Sequence, residues 1–117
     1  MGFKSDWNQD MKDMPGVVQN LVEGTTPDFN KAFRGLQQAV FVENTLTVAT
    51  KELIAVALAV AARCDGCIVY HVKAAIAAGC TRDELGDALS VAVMMGGGPS
   101  HYYSGRAMDA FNQLTAA

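Results

Sequence analysis

Apolar positions along this chain recur three or four residues apart and never alternate in twos over any length, a pattern that predicts helices and no strands. Residues 1–14 are polar and aperiodic and read as a flexible N-terminal arm from which Trp7 can pack. Pro15-Gly16 then opens a short helix through Val17, Val18, Leu21 and Val22, closed by Gly24. Thr26 is a good N-cap with Pro27 at the first helical position, and Phe29, Ala32, Phe33, Leu36, Ala39 and Val40 continue a second helix to about Val42. Asn44 to Thr50 reads as a turn with extended character, with Thr50 capping a helix that begins at Lys51. Leu53 to Ala62 is apolar nearly all round, so this third helix is expected at the centre of the fold or in a subunit interface.

Gly66 weakens a helix and Asp65 can cap one, so the chain is expected to bend between Arg63 and Gly66. A fourth helix carries Cys67, His71, Ala74, Ala75 and Ala78 to a C-cap at Gly79. Thr81-Arg82-Asp83-Glu84 is a capping box that starts a fifth through Leu85, Ala88, Leu89, Ala92 and Met95. Gly96-Gly97-Gly98-Pro99 ends it, and a last helix from Ser100 carries Tyr103, Ala107, Ala110, Phe111 and Leu114. The fold class is therefore all-α.

With 117 residues, the chain fits one domain, residues 15–117 following the arm. Half of it is hydrophobic and 18% charged, against about 25% in ordinary soluble domains, so apolar groups exceed what one small core buries and an oligomer is expected. A net charge of -3 with scattered Lys and Arg gives no basic field for nucleic acid. The longest apolar run is far short of the ~20 residues that span a bilayer, and the N-terminus carries Lys4, Asp6, Asp10 and Asp13 in place of an apolar signal core. A cytoplasmic location is expected. In a reducing compartment three cysteines are no disulfide framework, and a C-x-x-C there serves redox cycling or metal binding.

Cys64-Asp65-Gly66-Cys67 followed by His71 is the chemical centre of the sequence. At ~100° per residue, the two thiols lie roughly 60° apart around a helix, and His71 lies one turn past Cys67 at roughly 40° from it. Two sulfurs able to close a disulfide, beside a base, are what thiol redox chemistry requires. Three alternatives stay open at this point: small buried hydrophobes with a helix histidine, a redox pair, or a metal site in which Cys64, Cys67 and His71 are ligands and Glu52 or His101 is the candidate fourth. Glu52 is the only acid in an otherwise apolar helix and needs a partner if buried, or a surface position near the helix start. If the chain folds back at Arg63 to Gly66, Glu52 approaches the His71 end of the fourth helix. Cys80 reads as a packed thiol, and Met94, Met95 and Met108 as core or interface filling. The glycine run at 96–98 has no strand before it and no G-K-[ST] after it, so it is a turn and not a phosphate loop. His101, Tyr102 and Tyr103 follow that turn, facing either a pocket or an amphipathic surface.

Glu52, then Cys64-x-x-Cys67 twelve residues on, then His71, set within Thr50-Lys51-Glu52-Leu53-Ile54-Ala55 and Cys67-Ile68-Val69-Tyr70-His71, resembles the alkylhydroperoxidase AhpD-like branch of the carboxymuconolactone decarboxylase family. The likeness runs from about residue 27 to about residue 114 and includes the Met94 to Pro99 turn. It implies a bundle of about six helices assembled as homotrimers or homohexamers, and a peroxidase that reduces hydroperoxides through its cysteine pair without a bound cofactor or metal; the mostly apolar third helix favours organic hydroperoxides over hydrogen peroxide. Carried over residue by residue, Cys67 would be the peroxidatic cysteine, Cys64 the resolving cysteine, and Glu52 with His71 the proton relay. An external dithiol, a thioredoxin-like or lipoyl-bearing protein, would reset the pair. Well-studied peroxidase members carry a second histidine immediately before the second cysteine; Gly66 stands there in this chain, which implies a simpler relay and a lower rate. Decarboxylases of the family generally lack the cysteine pair, so the resemblance points away from lactone chemistry. A thiol-disulfide exchanger or redox sensor without peroxide turnover, and a Cys/His metal module, are the readings it leaves beside the peroxidase.

Overall fold

Six helices make up the described chain, residues 5–116 of a computed structural model: α1 (Trp7–Glu23), α2 (Pro27–Val40), α3 (Val48–Ala62), α4 (Asp65–Ala77), α5 (Arg82–Gly96) and α6 (Gly98–Thr115). Side chains cap the first five: Asp6, Thr26, Thr47, Cys64 and Thr81 each accept from a first-turn N–H. Thr81 and Glu84 form the expected reciprocal box, and Gly79 at φ 92 supplies the left-handed turn between α4 and α5. No strand occurs among the described residues.

α3 is the hub, packing on α4, α5 and α6, which explains why its sequence is apolar nearly all round. Val56 and Val60 from α3, Ile68, Val69 and Val72 from α4, Leu85 and Leu89 from α5, and Ala107, Ala110 and Phe111 from α6 form one buried cluster. Each large aliphatic side chain so enclosed contributes about 1.5–3 kcal/mol relative to exposure.

The expected N-terminal arm is corrected for residues 7–14, which are the first half of α1; residues 1–4 lie outside the described residues. Its ordering comes from the far end of the chain. Trp7 is fully buried, its backbone N–H donates to Gln113 Oε1 at 2.9 Å, and its indole Nε1 donates to Asp109 Oδ2 at 3.0 Å. Pro15 lies inside this helix and does not open it. α3 likewise starts three residues before the expected Lys51: Thr47 Oγ1 takes the Thr50 N–H at 3.1 Å, making Thr50 an occupant of the first turn and not its cap. α6 begins at Gly98, two residues before the expected Ser100.

α2 has the opposite arrangement from α3. Among the described residues no helix packs closely along it, and its apolar positions Phe29, Phe33, Leu36 and Val40 are 45–60% exposed. Leu21, Val17 and Val18 on the second half of α1 are also exposed.

Candidate dithiol site

The corner between α3 and α4 contains only Arg63 and Cys64. Arg63 is left-handed (φ 56, ψ 45), its N–H donates to Val60 O, and the Cys64 N–H reaches back to Ala59 O, so the helix ends in a Schellman closure with arginine where glycine is usual. A left-handed non-glycine residue costs about 1 kcal/mol or more, and Arg63 is the only one among the described residues. Cys64 serves both helices: its backbone ends α3, and its Sγ accepts the Cys67 N–H at 3.1 Å to cap α4. The cap is thus the cysteine and not Asp65. The same closure recurs one helix later, where Gly79 is left-handed and the Cys80 N–H returns to Ala75 O.

Cys64 and Cys67 are joined as a disulfide, their Cα atoms 5.2 Å apart. Cys64 is half-buried and Cys67 exposed. The thiol at Cys64 would sit at the positive end of α4 with a helix N–H aimed at it, an environment that favours thiolate.

Because the chain reverses at Arg63 and Cys64, seven residues back from Ala59 and seven forward from Cys64 meet: His71 Nδ1 lies 2.7 Å from Glu52 Oε1. Glu52 is buried, 5% exposed, which removes the reading of a surface acid at a helix start. With the carboxylate accepting from Nδ1–H, the free lone pair of a neutral ring is on Nε2. Phe41 (centroids 5.3 Å) and Tyr70 (5.0 Å, edge-on) hold the ring between them. Cys67 and His71 are four apart on α4 and so share a face, with Cβ atoms about 5–6 Å apart on ordinary helix geometry.

A cavity of about 410 Å³ opens beside this pair, lined by Arg34, Gln37, Gln38, Phe41, Tyr70 and Glu52. Residues 34, 37, 38 and 41 were not singled out by sequence. Arg34, Gln37 and Gln38 share one polar face of α2 at i, i+3, i+4 spacing, with Phe41 at its C-cap one turn on, and that spacing was the available signal.

Asp65, between the two cysteines, is held from α6: Arg106 Nε donates to Oδ1 at 3.2 Å and Nη2 to Oδ2 at 2.9 Å. Burial opposes the charge on Arg106, but the hydrogen bonds and charge of Asp65, with a smaller contribution from the Tyr102 hydroxyl, outweigh it and leave the guanidinium above its usual value. Gly66 faces α1: a Cβ there would lie 3.9 Å from Met14 Cε, so this side of the motif is covered by a helix.

Cys80 is buried and its Sγ donates to Ala49 O at 3.4 Å. Burial pushes its thiol up, with the charges of Glu84 and Glu52 adding to the effect. His101 is exposed on α6 and does not join the Glu52–His71 pair. Among the described residues no three His, Cys, Asp or Glu side chains are grouped to hold a metal ion, and no helix is long and apolar enough to cross a membrane.

The fold and the site define a helical protein with a C-x-x-C disulfide backed by a carboxylate–imidazole pair. Residues 27–114 match the carboxymuconolactone decarboxylase family, and the chain belongs to it. It is 40% identical over 90 residues to an uncharacterised protein of Cupriavidus necator, covering 77% of this chain and 80% of that one. The structure is similar to the crystal structure of a family member from Legionella pneumophila, with TM-score 0.87, 37% identity, and 94% and 97% of the two chains covered. It is also similar to a Thermotoga maritima family member for which a part in the antioxidative response has been suggested, with TM-score 0.78, 28% identity, and 91% and 89% covered.

Proposed function

We propose that this protein is a thiol-dependent peroxidase of the AhpD-like kind, reducing organic hydroperoxides through Cys67 and Cys64. The observation that carries the reading is the 2.7 Å Glu52–His71 contact, which directs the imidazole's free lone pair to Nε2 one helical turn from a cysteine already paired with its neighbour. A packing role for the cysteines gives no reason to bury a carboxylate against that ring.

His71 takes the Cys67 proton. The thiolate attacks the terminal oxygen of the hydroperoxide, the O–O bond breaks, and the leaving alkoxide is protonated to an alcohol. The Cys64 thiolate then attacks the sulfenic sulfur, forming the disulfide and releasing water. One hydroperoxide and two thiols thus give one alcohol, one water and one disulfide. Exposure of Cys67 supports its role as the attacking sulfur, and the helix-end position of Cys64 makes it a good leaving group when an external dithiol reopens the bond. Glu52 keeps the ring oriented, as a carboxylate does behind a catalytic imidazole.

The partners in this reading are a thioredoxin-like or lipoyl-bearing reductant in a reducing cytoplasm, and further copies of the chain. The exposed apolar stripe of α2 supports association between copies, since it has no cover within the protomer, and the order proposed, a homotrimer or homohexamer, is the one the family likeness implies.

The test mixes reduced protein with cumene hydroperoxide and titrates thiols. Loss of two thiols per chain with one equivalent of cumyl alcohol is expected. Both thiols surviving for minutes, while oxidised dithiols still close the disulfide, would instead make the protein an exchanger or redox sensor.

A further inference from the structure

We propose that Arg106 is a positioning residue for the dithiol: by gripping Asp65 at two points, it prevents that carboxylate from opposing a thiolate at Cys64. The inference rests on the reading that Cys64 and Cys67 cycle between dithiol and disulfide, and does not depend on a hydroperoxide being the oxidant.

Asp65 immediately follows Cys64 and occupies the first turn of α4, so its negative charge enters the same helix end that would otherwise favour the Cys64 sulfur as an anion. Left unpaired, it works against the Cys67 N–H and the helix dipole that act on the Cys64 sulfur. Arg106 reaches it from 41 residues away, with both carboxylate oxygens engaged. The ion pair is not needed to start α4, because Cys64 already caps that helix.

The arginine is itself aimed by packing. Its guanidinium carbon lies 5.0 Å from the centroid of the Trp7 ring and 5.8 Å from that of Tyr103. Trp7 is fully buried and fixed by hydrogen bonds to Asp109 and Gln113, so the fork points where a buried ring directs it. Cys64 is flanked in the chain by the charged Arg63 and Asp65; α6 brings Arg106 to Asp65, α3 carries Glu52, which is held by His71, and α1 brings the uncharged Met14 to Gly66. Among these, Asp65 is the acid next to Cys64 in the chain, and Arg106 is what offsets it.

The experiment is the rate of Cys64 alkylation by iodoacetamide against pH, on the reduced full-length protein, resolved by peptide mass spectrometry. Arg106→Gln is expected to slow Cys64 about threefold at neutral pH and shift the profile alkaline, the size fitting one half-exposed charge. Asp65→Asn alone is expected to leave the rate equal or faster, and Asp65→Asn combined with Arg106→Gln to return it to within about 1.5-fold of the unmodified protein. Arg106→Lys, which keeps the charge and most of the stem, is expected to stay within twofold, and it and Asp65→Asn carry the test should Arg106→Gln not fold. An unchanged rate in Arg106→Gln, a double variant as slow as the single one, or a slowed Asp65→Asn would overturn the proposal in favour of a purely structural ion pair. Alkylation needs no hydroperoxide, so a protein inert to cumene hydroperoxide that still shows this pattern would end the peroxidase reading and keep this one.

Discussion

Replacing Glu52 by glutamine removes one charge and almost no volume from the relay. In the native site Oε1 lies 2.7 Å from His71 Nδ1, with the two side chains 7% and 18% exposed. A hydrogen bond to a charged group in such a setting contributes about 1.5–3 kcal/mol. The amide oxygen can still accept from Nδ1–H, so part of the orientation survives; what is lost is the charge that stabilises the imidazolium formed when Cys67 gives up its proton. At about 1.4 kcal/mol per tenfold in rate, Glu52→Gln should slow oxidation of the dithiol about 10- to 100-fold. The assay is single-turnover stopped flow with excess cumene hydroperoxide and no recycling reductant, which isolates the chemical step from disulfide reduction. Far-UV circular dichroism checks that the helices are intact. A folded Glu52→Gln protein reacting within twofold of the native rate would refute the relay, because the buried carboxylate would then contribute nothing to proton handling.

Cys80→Ala should leave hydroperoxide turnover unchanged, since Cys80 lies in the α4–α5 corner with its sulfur turned to Ala49. The same substitution tests a pH effect. Burial raises the Cys80 thiol above its ordinary 9.0, so above that pH the unfolded chain ionises before the folded one does, and the native protein should lose urea resistance there more steeply than Cys80→Ala. Thr81→Ala breaks the capping box, in which Thr81 Oγ1 and Glu84 Oε1 accept at 3.1 and 2.8 Å; a loss of about 1 kcal/mol in urea unfolding is expected. Gly79→Ala places a Cβ at φ 92 and should cost about 1–2 kcal/mol, whereas Arg63→Gly relieves the corresponding corner before Cys64 and should leave stability equal or higher.

The features legible in the sequence are local in origin. Thr26 with Pro27, the Thr81–Glu84 box and the glycine stop at Gly79 act through neighbouring backbone groups, so they named helix ends correctly from a few residues each. The facing of Cys67 and His71 follows from helix spacing alone, whereas Cys64, expected on the same helix, is the extended N-cap of α4 and reaches Cys67 from there. Even the approach of Glu52 to His71 was accessible, because a reversal at Arg63 and Cys64 leaves two apolar helices little choice but to lie against each other. Where two residues competed for one role, local rules were insufficient: Thr47 and Thr50 are both good caps, and the chain before α3 decides between them, with Glu43 Oε1 accepting from Val48 N and Lys51 Nζ donating to Val40 O and Val42 O.

The sequence by itself therefore determined an all-helical chain, most of its helix boundaries and the reactive pair with its imidazole, since these depend on interactions within about one turn. Tertiary structure decided the rest. Residues 7–14 lack a continuous apolar stripe and looked unstructured, yet Trp7 is held by Asp109 and Gln113 from the other end of the chain. The Arg106–Asp65 clasp spans 41 residues, and the cavity wall of Arg34, Gln37 and Gln38 stands over Glu52 only once α2 and α3 are placed. Periodicity reports which face of a helix avoids water, but a charge or amide aimed at a distant partner leaves no period in the chain; its direction is set only when the packed core fixes where both ends lie.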